Sequence, residues 1–209
     1  AMRPDALEAL LRADLEAGIK PACIVATLGT TGTGGIDPLS AIGRIAERYE
    51  VFLHVDAAWA GSALVLPETR WMIEGIAAAD SFVTNPHKWL DVNFDCSAHF
   101  VRKPEELVRT LTVNPAYLTG QETGQVIDYR DWGIPLGRRF RALKLWFVLR
   151  SYGVEGLQAM LRRHIALTAE LAGWIEAEPA FELTSPPSLA LLSFRFCPDG
   201  RPDSRDEDA

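Results

Sequence analysis

Three groups of residues in this 209-residue chain have types and placements suited to covalent chemistry. The first is Lys88, within Thr84-Asn85-Pro86-His87-Lys88-Trp89. The other lysines, Lys20, Lys103 and Lys144, sit at turns beside proline or in an arginine-rich amphipathic helix, where a solvated position is expected. Lys88 instead follows the apolar run Ser81-Phe82-Val83-Thr84, which reads as a buried strand. A lysine at a strand end among aromatic groups is expected to lose solvation, which favours the neutral amine. Such an amine can form a Schiff base with a carbonyl. The segment alone is equally compatible with a lysine whose stem packs on Trp89 while its head reaches water.

The second group is Asp56, closing Val51-Phe52-Leu53-His54-Val55-Asp56. A carboxylate at the end of an apolar strand is costly unless paired, and a protonated ring nitrogen is one partner that would repay burial. Alternation puts Phe52, His54 and Asp56 on one face, so His54 could orient the site or serve as a satisfied core histidine. The third group is Thr30 and Thr31, in the glycine-rich Gly29-Thr30-Thr31-Gly32-Thr33-Gly34-Gly35, which offers hydroxyl and N–H donors to an anion or ring oxygen. Asn85 and His87, flanking the lysine, could contact a phosphate or a carboxylate. Arg138, Arg139 and Arg141 read as a surface or interface cluster.

These groups need a scaffold that brings them together. Residues 5–17 have helical periodicity, with Asp5 placed to cap. Cys23 to Leu28 is a continuous apolar run, the pattern of a strand buried on both faces. A helix from Asp37-Pro38, the strand ending at Asp56, a helix over about 70–79 and the strand before Lys88 follow. Alternating strands and helices predict an α/β layer with a mostly parallel sheet, whose ligand site lies off the carboxyl ends of the strands. The three reactive groups all sit at such ends. Cys96 to Val101 is a further strand candidate and 105–110 a short helix. Residues 112–135 form an irregular segment of a length typical of a functional lid. Two long helices, one to about Tyr152 and one from about Glu155 to Ala177, precede strands at Phe181–Thr184 and Leu189–Phe196. The domain boundary is placed near Gly153, giving units 1–152 and 153–209.

Composition narrows the class. The formal net charge of −7 and the lack of any basic block argue against a nucleic-acid partner. No run approaches membrane-spanning length and no apolar signal segment opens the chain. Three widely spaced cysteines give neither a disulfide framework nor a metal-ligand spacing, so no metal is expected and a reducing, cytoplasmic location is. The polar stretch from Asp199 reads as a loop or frayed end. No G-x-G-x-x-G or P-loop supports a nucleotide-binding domain.

A lysine with an aspartate on a ring nitrogen is the combination used by pyridoxal phosphate enzymes. The segments 26–32, His54-Val55-Asp56-Ala57-Ala58-Trp59-Ala60-Gly61-Ser62-Ala63, 85–97 and 129–141 together resemble the group II pyridoxal-phosphate decarboxylases, and among them most closely the aromatic-L-amino-acid decarboxylases. The resemblance runs to about Phe196. It implies a partial fold type I (aspartate aminotransferase-like) α/β domain with the start of a small C-terminal α+β domain. It further implies that Lys88 carries pyridoxal 5'-phosphate, Asp56 faces the pyridine nitrogen and Ala58 packs on the ring. Thr31 and Asn85 fall at cofactor-contact positions and His87 at the neighbouring active-site position. Tyr117 matches the tyrosine of the mobile catalytic loop, associated with protonating the substrate carbon. Relatives with phenylalanine there tend toward aldehyde formation, so Tyr117 favours simple decarboxylation. The partners implied are an amino-acid substrate and a second subunit, as a homodimer. Glutamate or histidine as substrate, and an inactive module serving dimerisation, are the alternatives. The family's first half of the large domain has no counterpart here, so the resemblance implies an internal piece that binds cofactor poorly by itself.

Overall fold

The computed structural model describes residues 1–112, 127 and 129–197. Strands β1 (Cys23–Thr27), β2 (Phe52–Asp56), β3 (Ser81–Thr84) and β4 (Ala98–Val101) form one sheet in that order. β1, β2 and β3 run parallel, and β4 joins β3 antiparallel. Helices α1 (Pro4–Glu16) and α2 (Leu39–Tyr49) cover one face. The core there is Ile24, Ala26, Leu53 and Val55 against Leu11, Leu39, Ile42, Ile45 and Ala46. In α1, Pro4 supplies the first helical position, where a missing N–H costs nothing. Asp5 lies in the first turn rather than at the cap, which is Arg3 without a side-chain bond, so the capping role expected of Asp5 is not filled. α2 ends where Glu50 turns left-handed at φ 51° and the Val51 N–H bonds back to Ala46.

Two expectations are corrected. β1 is buried on one face only: Ile24 and Ala26 are enclosed, while Cys23 and Val25 are exposed. On the same face Phe52 meets a cavity lined by Leu107 and Leu111 of a later helix, but Cys23 and Val25 stay exposed. Hydropathy shows what a strand is able to bury, and here the second cover is not among the described residues. The helix expected over 70–79 is instead two 3₁₀ segments, Pro67–Ile73 and Ile76–Ala78, parted by Gly75 at φ 92°. A Cβ at Gly75 would stand 2.5 Å from Ser40 Cα, so close packing on α2 imposes the break. Thr69 reinforces the tight turn, its hydroxyl donating to the carbonyls of Ala63 (2.5 Å) and Leu66 (3.1 Å).

After β3 comes the single-turn α3 (Pro86–Trp89), and after β4 the helix α4 (Pro104–Leu111). Helical residues then span α5 (Arg141–Ala177), interrupted at Gly153, whose φ 66° and ψ 174° part it into two helices. The second packs on the connection after β2. Leu157 and Leu161 are fully buried, Gln158 donates to the Val65 carbonyl (2.8 Å), and Arg162 grips Glu68 with two bonds (2.7 and 3.0 Å). The hairpin β5 (Phe181–Ser188) and β6 (Leu191–Phe196) is a separate antiparallel sheet. β5 runs past the expected end at Thr184 through Pro186 and Pro187, at shifts in register that spare the ladder the missing donors.

Candidate active site

The sheet brings the three reactive groups to one end. Asp56 pairs with Thr27 across β1–β2 and with Val83 across β2–β3. Beyond the strands the connections remain stitched: the Ala57 N–H bonds the Val83 carbonyl (3.0 Å) and the Asn85 N–H the Ala58 carbonyl (2.8 Å). The approach is close because the residues are small. A Cβ on Gly61 would collide with the Thr84 side chain, and one on Gly29 would stand 2.5 Å from the Ala60 Cβ.

Asp56 is half-buried, and its Oδ1 accepts the Ala58 N–H at 2.9 Å. His54 lies on the same face, as alternation requires, with Nδ1 2.6 Å from the Ser81 hydroxyl. Burial, and then the neighbouring His99, push its pKa below the ordinary histidine value, while Asp56 pulls the other way. Lys88 is exposed, and no described residue bonds or ion-pairs with its amine. The desolvation expected of it is therefore not supplied by the described residues. Its backbone N–H closes α3 onto the Asn85 carbonyl (2.8 Å).

Its neighbours are tied to the loop before β4. The Cys96 N–H donates to His87 Nδ1 at 3.0 Å, the Cys96 carbonyl lies 2.7 Å from the same nitrogen, and Phe94 meets the ring edge-on at 4.9 Å. Asn85 Oδ1 accepts the Ser97 hydroxyl at 2.5 Å, which leaves the Asn85 amide NH₂ as a donor. Ala58 is half-buried at the turn after Asp56, and Thr31 is exposed at the tip of the glycine-rich loop. Hairpin β5–β6 holds that loop: Ser188 donates to the Gly34 carbonyl (2.8 Å) and Ser193 to that of Gly32. Tyr117 lies outside the described residues.

Other contacts had no local signal in the sequence. The Trp59 indole donates to the Gly29 carbonyl (2.5 Å) and packs on Trp89 with centroids 5.3 Å apart. The Trp89 indole donates to His164 Nδ1 (3.1 Å), a partner 75 positions away. Arg139 and Arg141 pair with Asp95 at 3.7 and 2.9 Å, and the Arg141 bond lowers the Asp95 pKa. Lys144, expected on a solvated face, donates instead to the carbonyls of Asn93 (2.9 Å) and Asp95 (2.7 Å). A cavity of about 260 Å³ lined by Phe52, Ser81, His99, Arg102 and Leu111 sits at the opposite, N-terminal ends of β2 and β3.

An amine, a carboxylate and hydroxyl and amide donors thus stand at three adjoining strand ends, in a chain that matches known proteins along its length. The family model described as "Pyridoxal-dependent decarboxylase conserved domain" matches residues 1–197. The aromatic-L-amino-acid decarboxylase of Cavia porcellus is 48% identical over 198 residues, 94% of this chain and 41% of that protein. A phenylacetaldehyde synthase of Arabidopsis thaliana is 46% identical over 200 residues, 95% of this chain and 41% of its own. Among solved structures, Oryza sativa TDC with PLP and tryptamine aligns with a TM-score of 0.89 at 38% identity, over 94% of this chain and 40% of that one. Catharanthus roseus tryptophan decarboxylase in complex with L-tryptophan gives 0.86 at 39%, over 95% and 41%. The chain thus spans about two-fifths of the length of these relatives. With the family model matching residues 1–197 and the solved structures sharing the fold, the chain belongs to the pyridoxal-dependent decarboxylase family and has its fold type I architecture.

Proposed function

We propose that this protein decarboxylates an aromatic L-amino acid to its amine and carbon dioxide, using pyridoxal 5'-phosphate held by Lys88. The observation that carries the reading is that Asp56 closes β2 and the Lys88 turn follows β3, two strand ends bonded to each other through Ala57–Val83 and Asn85–Ala58, in a chain 48% identical to an aromatic-L-amino-acid decarboxylase. The residues fit the cofactor. The Lys88 amine has no competing partner among the described residues. Asp56 uses Oδ1 for Ala58 and keeps Oδ2 for a ring N–H, and Ala58 presents only a methyl beside it.

Pyridoxal phosphate, when bound, draws off the electron pair released as the bond from Cα to the carboxylate breaks. Asp56 holds a proton on the ring nitrogen and stabilises the charge developing there. The Asn85 amide and the Thr31 hydroxyl are donors for anionic oxygens. His87, its Nδ1 engaged by Cys96, offers Nε2 to the substrate carboxylate or cofactor. Tyr117 delivers the proton to Cα. Two further parts belong to the proposal. Residues 1–152 form part of the cofactor domain and 153–209 the start of a second, supported by the break at Gly153 and the separate β5–β6 sheet. A cytoplasmic homodimer is supported by three unpaired cysteines and by the exposed apolar residues Phe140, Trp146 and Phe147 at the start of α5.

The test uses the full protein. Its visible absorbance with pyridoxal phosphate is recorded, borohydride is added and the labelled peptide is sequenced. Carbon dioxide, amine and aldehyde are then measured for tryptophan, DOPA, tyrosine, phenylalanine, glutamate and histidine. Label on Lys88, amine from the aromatic substrates and loss of turnover in Lys88→Ala are expected. Asp56→Ala lowers kcat by about 100-fold or more, the scale of removing one preorganised electrostatic group. Aldehyde as main product would reassign the chain to the chemistry named for its phenylacetaldehyde synthase relative. Absence of label on Lys88 would overturn the cofactor assignment.

A further inference from the structure

We propose that His164 is a positioning residue, holding the Lys88-bearing turn in place through the indole of Trp89. α3 has only four residues, closed onto its flanks by Lys88 N–H to Asn85 (2.8 Å) and Leu90 N–H to Pro86 (3.2 Å). A single turn does not hold itself, since the first bonds of a helix do not repay the residues they fix. The direction in which Lys88 leaves the backbone is therefore set by whatever grips its neighbours. On the C-terminal side that grip is Trp89. One face of its ring region is met by Trp59, at 5.3 Å and a 45° tilt, and Trp59 is pinned to the Gly29 carbonyl. Its N–H goes to His164 Nδ1 at 3.1 Å.

Indole nitrogen only donates, so the His164 Nδ1 must carry a lone pair and its remaining proton sits on Nε2. The backbone that carries the imidazole is itself fixed. Its helix is anchored by fully buried Leu157 and Leu161, by Gln158 on the Val65 carbonyl and by Arg162 on Glu68. One turn on, the Thr168 hydroxyl bonds the His164 carbonyl at 3.0 Å. Thus the helix that docks on the connection after β2 also reaches the turn after β3. The glycine-rich loop, the Asp56 turn and the Lys88 turn are joined in one line: Gly29, Trp59, Trp89, His164. The catalytic consequence rests on the reading of Lys88 as the cofactor lysine; the tether does not.

The test compares His164→Leu with His164→Asn in the full protein, since an asparagine Oδ1 takes the place of Nδ1 as acceptor. Backbone hydrogen exchange is measured without cofactor. In His164→Leu the Lys88 and Leu90 amides exchange about tenfold faster, the scale of one lost hydrogen bond, while β1–β3 amides keep their rates and the Asn variant recovers. With cofactor and substrate, His164→Leu lowers kcat about tenfold with KM changed less than about twofold, again restored by Asn. Unchanged exchange at Lys88 and Leu90 overturns the tether. Faster exchange throughout β1–β3 shows a general loss of packing and also overturns it. Local loosening with unaltered kcat overturns the positioning role. If the unsubstituted protein takes no cofactor onto Lys88, the functional reading falls by itself, and the exchange measurement alone then supports or overturns the tether.

Discussion

His54 shows how one side chain's surroundings become a measurable pH dependence. It stands between Asp56, which favours its charged form, and burial and His99, which disfavour it more. Its folded pKa is below the ordinary 6.5, so the unfolded chain binds the proton more readily. The stability this histidine contributes is fully present above about 6.5 and is lost as pH falls through the lowered folded value. Glu68, held down to about 2 by the Arg162 hydrogen bond, acts in a separate range, losing its contribution only as pH falls from the ordinary 4.5 toward 2. The denaturation midpoint should therefore begin to drop between about pH 7 and about pH 5, before the carboxylates titrate. His54→Gln, which keeps a polar partner for Ser81 but cannot titrate, should flatten that limb in urea titrations run across pH. An unchanged slope in the variant would assign the limb to other groups.

At the scale of elements, the site depends on how closely the β2 and β3 ends approach. Gly61 lies against the Thr84 side chain, where a Cβ has no room. Gly61→Ala should cost about 1–3 kcal/mol, the range for overpacking a close contact. Gly32→Ala, at a loop tip with open space around it, should stay within about 0.5 kcal/mol. Equal midpoints for the two variants in urea denaturation would contradict the close approach. The same scale shows what the sequence could disclose. The shared face of His54 and Asp56 followed from the two-residue period of a strand, a geometric property needing no neighbour. Lys88 and Asp56 stood out because few residue types do such chemistry, and one closes an apolar strand while the other follows one. The exposed flank of β1 was illegible, because Val25 is as apolar as a residue buried on both sides. The 3₁₀ turns replaced the helix expected over 70–79 because Gly75 yields to Ser40 of α2, a contact that no local pattern encodes. The link from Trp89 to His164 was likewise invisible, joining residues 75 apart.

At the scale of the molecule, the question is whether the part after Gly153 folds with the four-stranded sheet or beside it. Besides the Trp89–His164 bond, two groups of contacts join them. Leu157 and Leu161 are buried with Gln158 and Arg162 holding the connection after β2, and Ser188 and Ser193 hold the glycine-rich loop after β1. Both joints land on the loops that carry candidate site residues, so loosening either should be felt at the site. Leu161 is the cleaner probe, being wholly buried and apolar, with no hydrogen bond to confuse its loss. Truncation leaves a cavity, and Leu161→Ala should cost about 2–5 kcal/mol. Indole fluorescence reports the Trp59–Trp89 pair among other tryptophans, while far-ultraviolet circular dichroism is weighted toward the long helices. If the parts fold together, both signals move to lower urea together and remain superimposable in the variant. If the helix after Gly153 were an independent unit, Leu161→Ala would shift the dichroism transition ahead of the fluorescence one. Coincident transitions would mean that the ordering of the strand ends that carry Asp56 and lead into Lys88 draws on packing contributed by Leu161, far downstream of both residues.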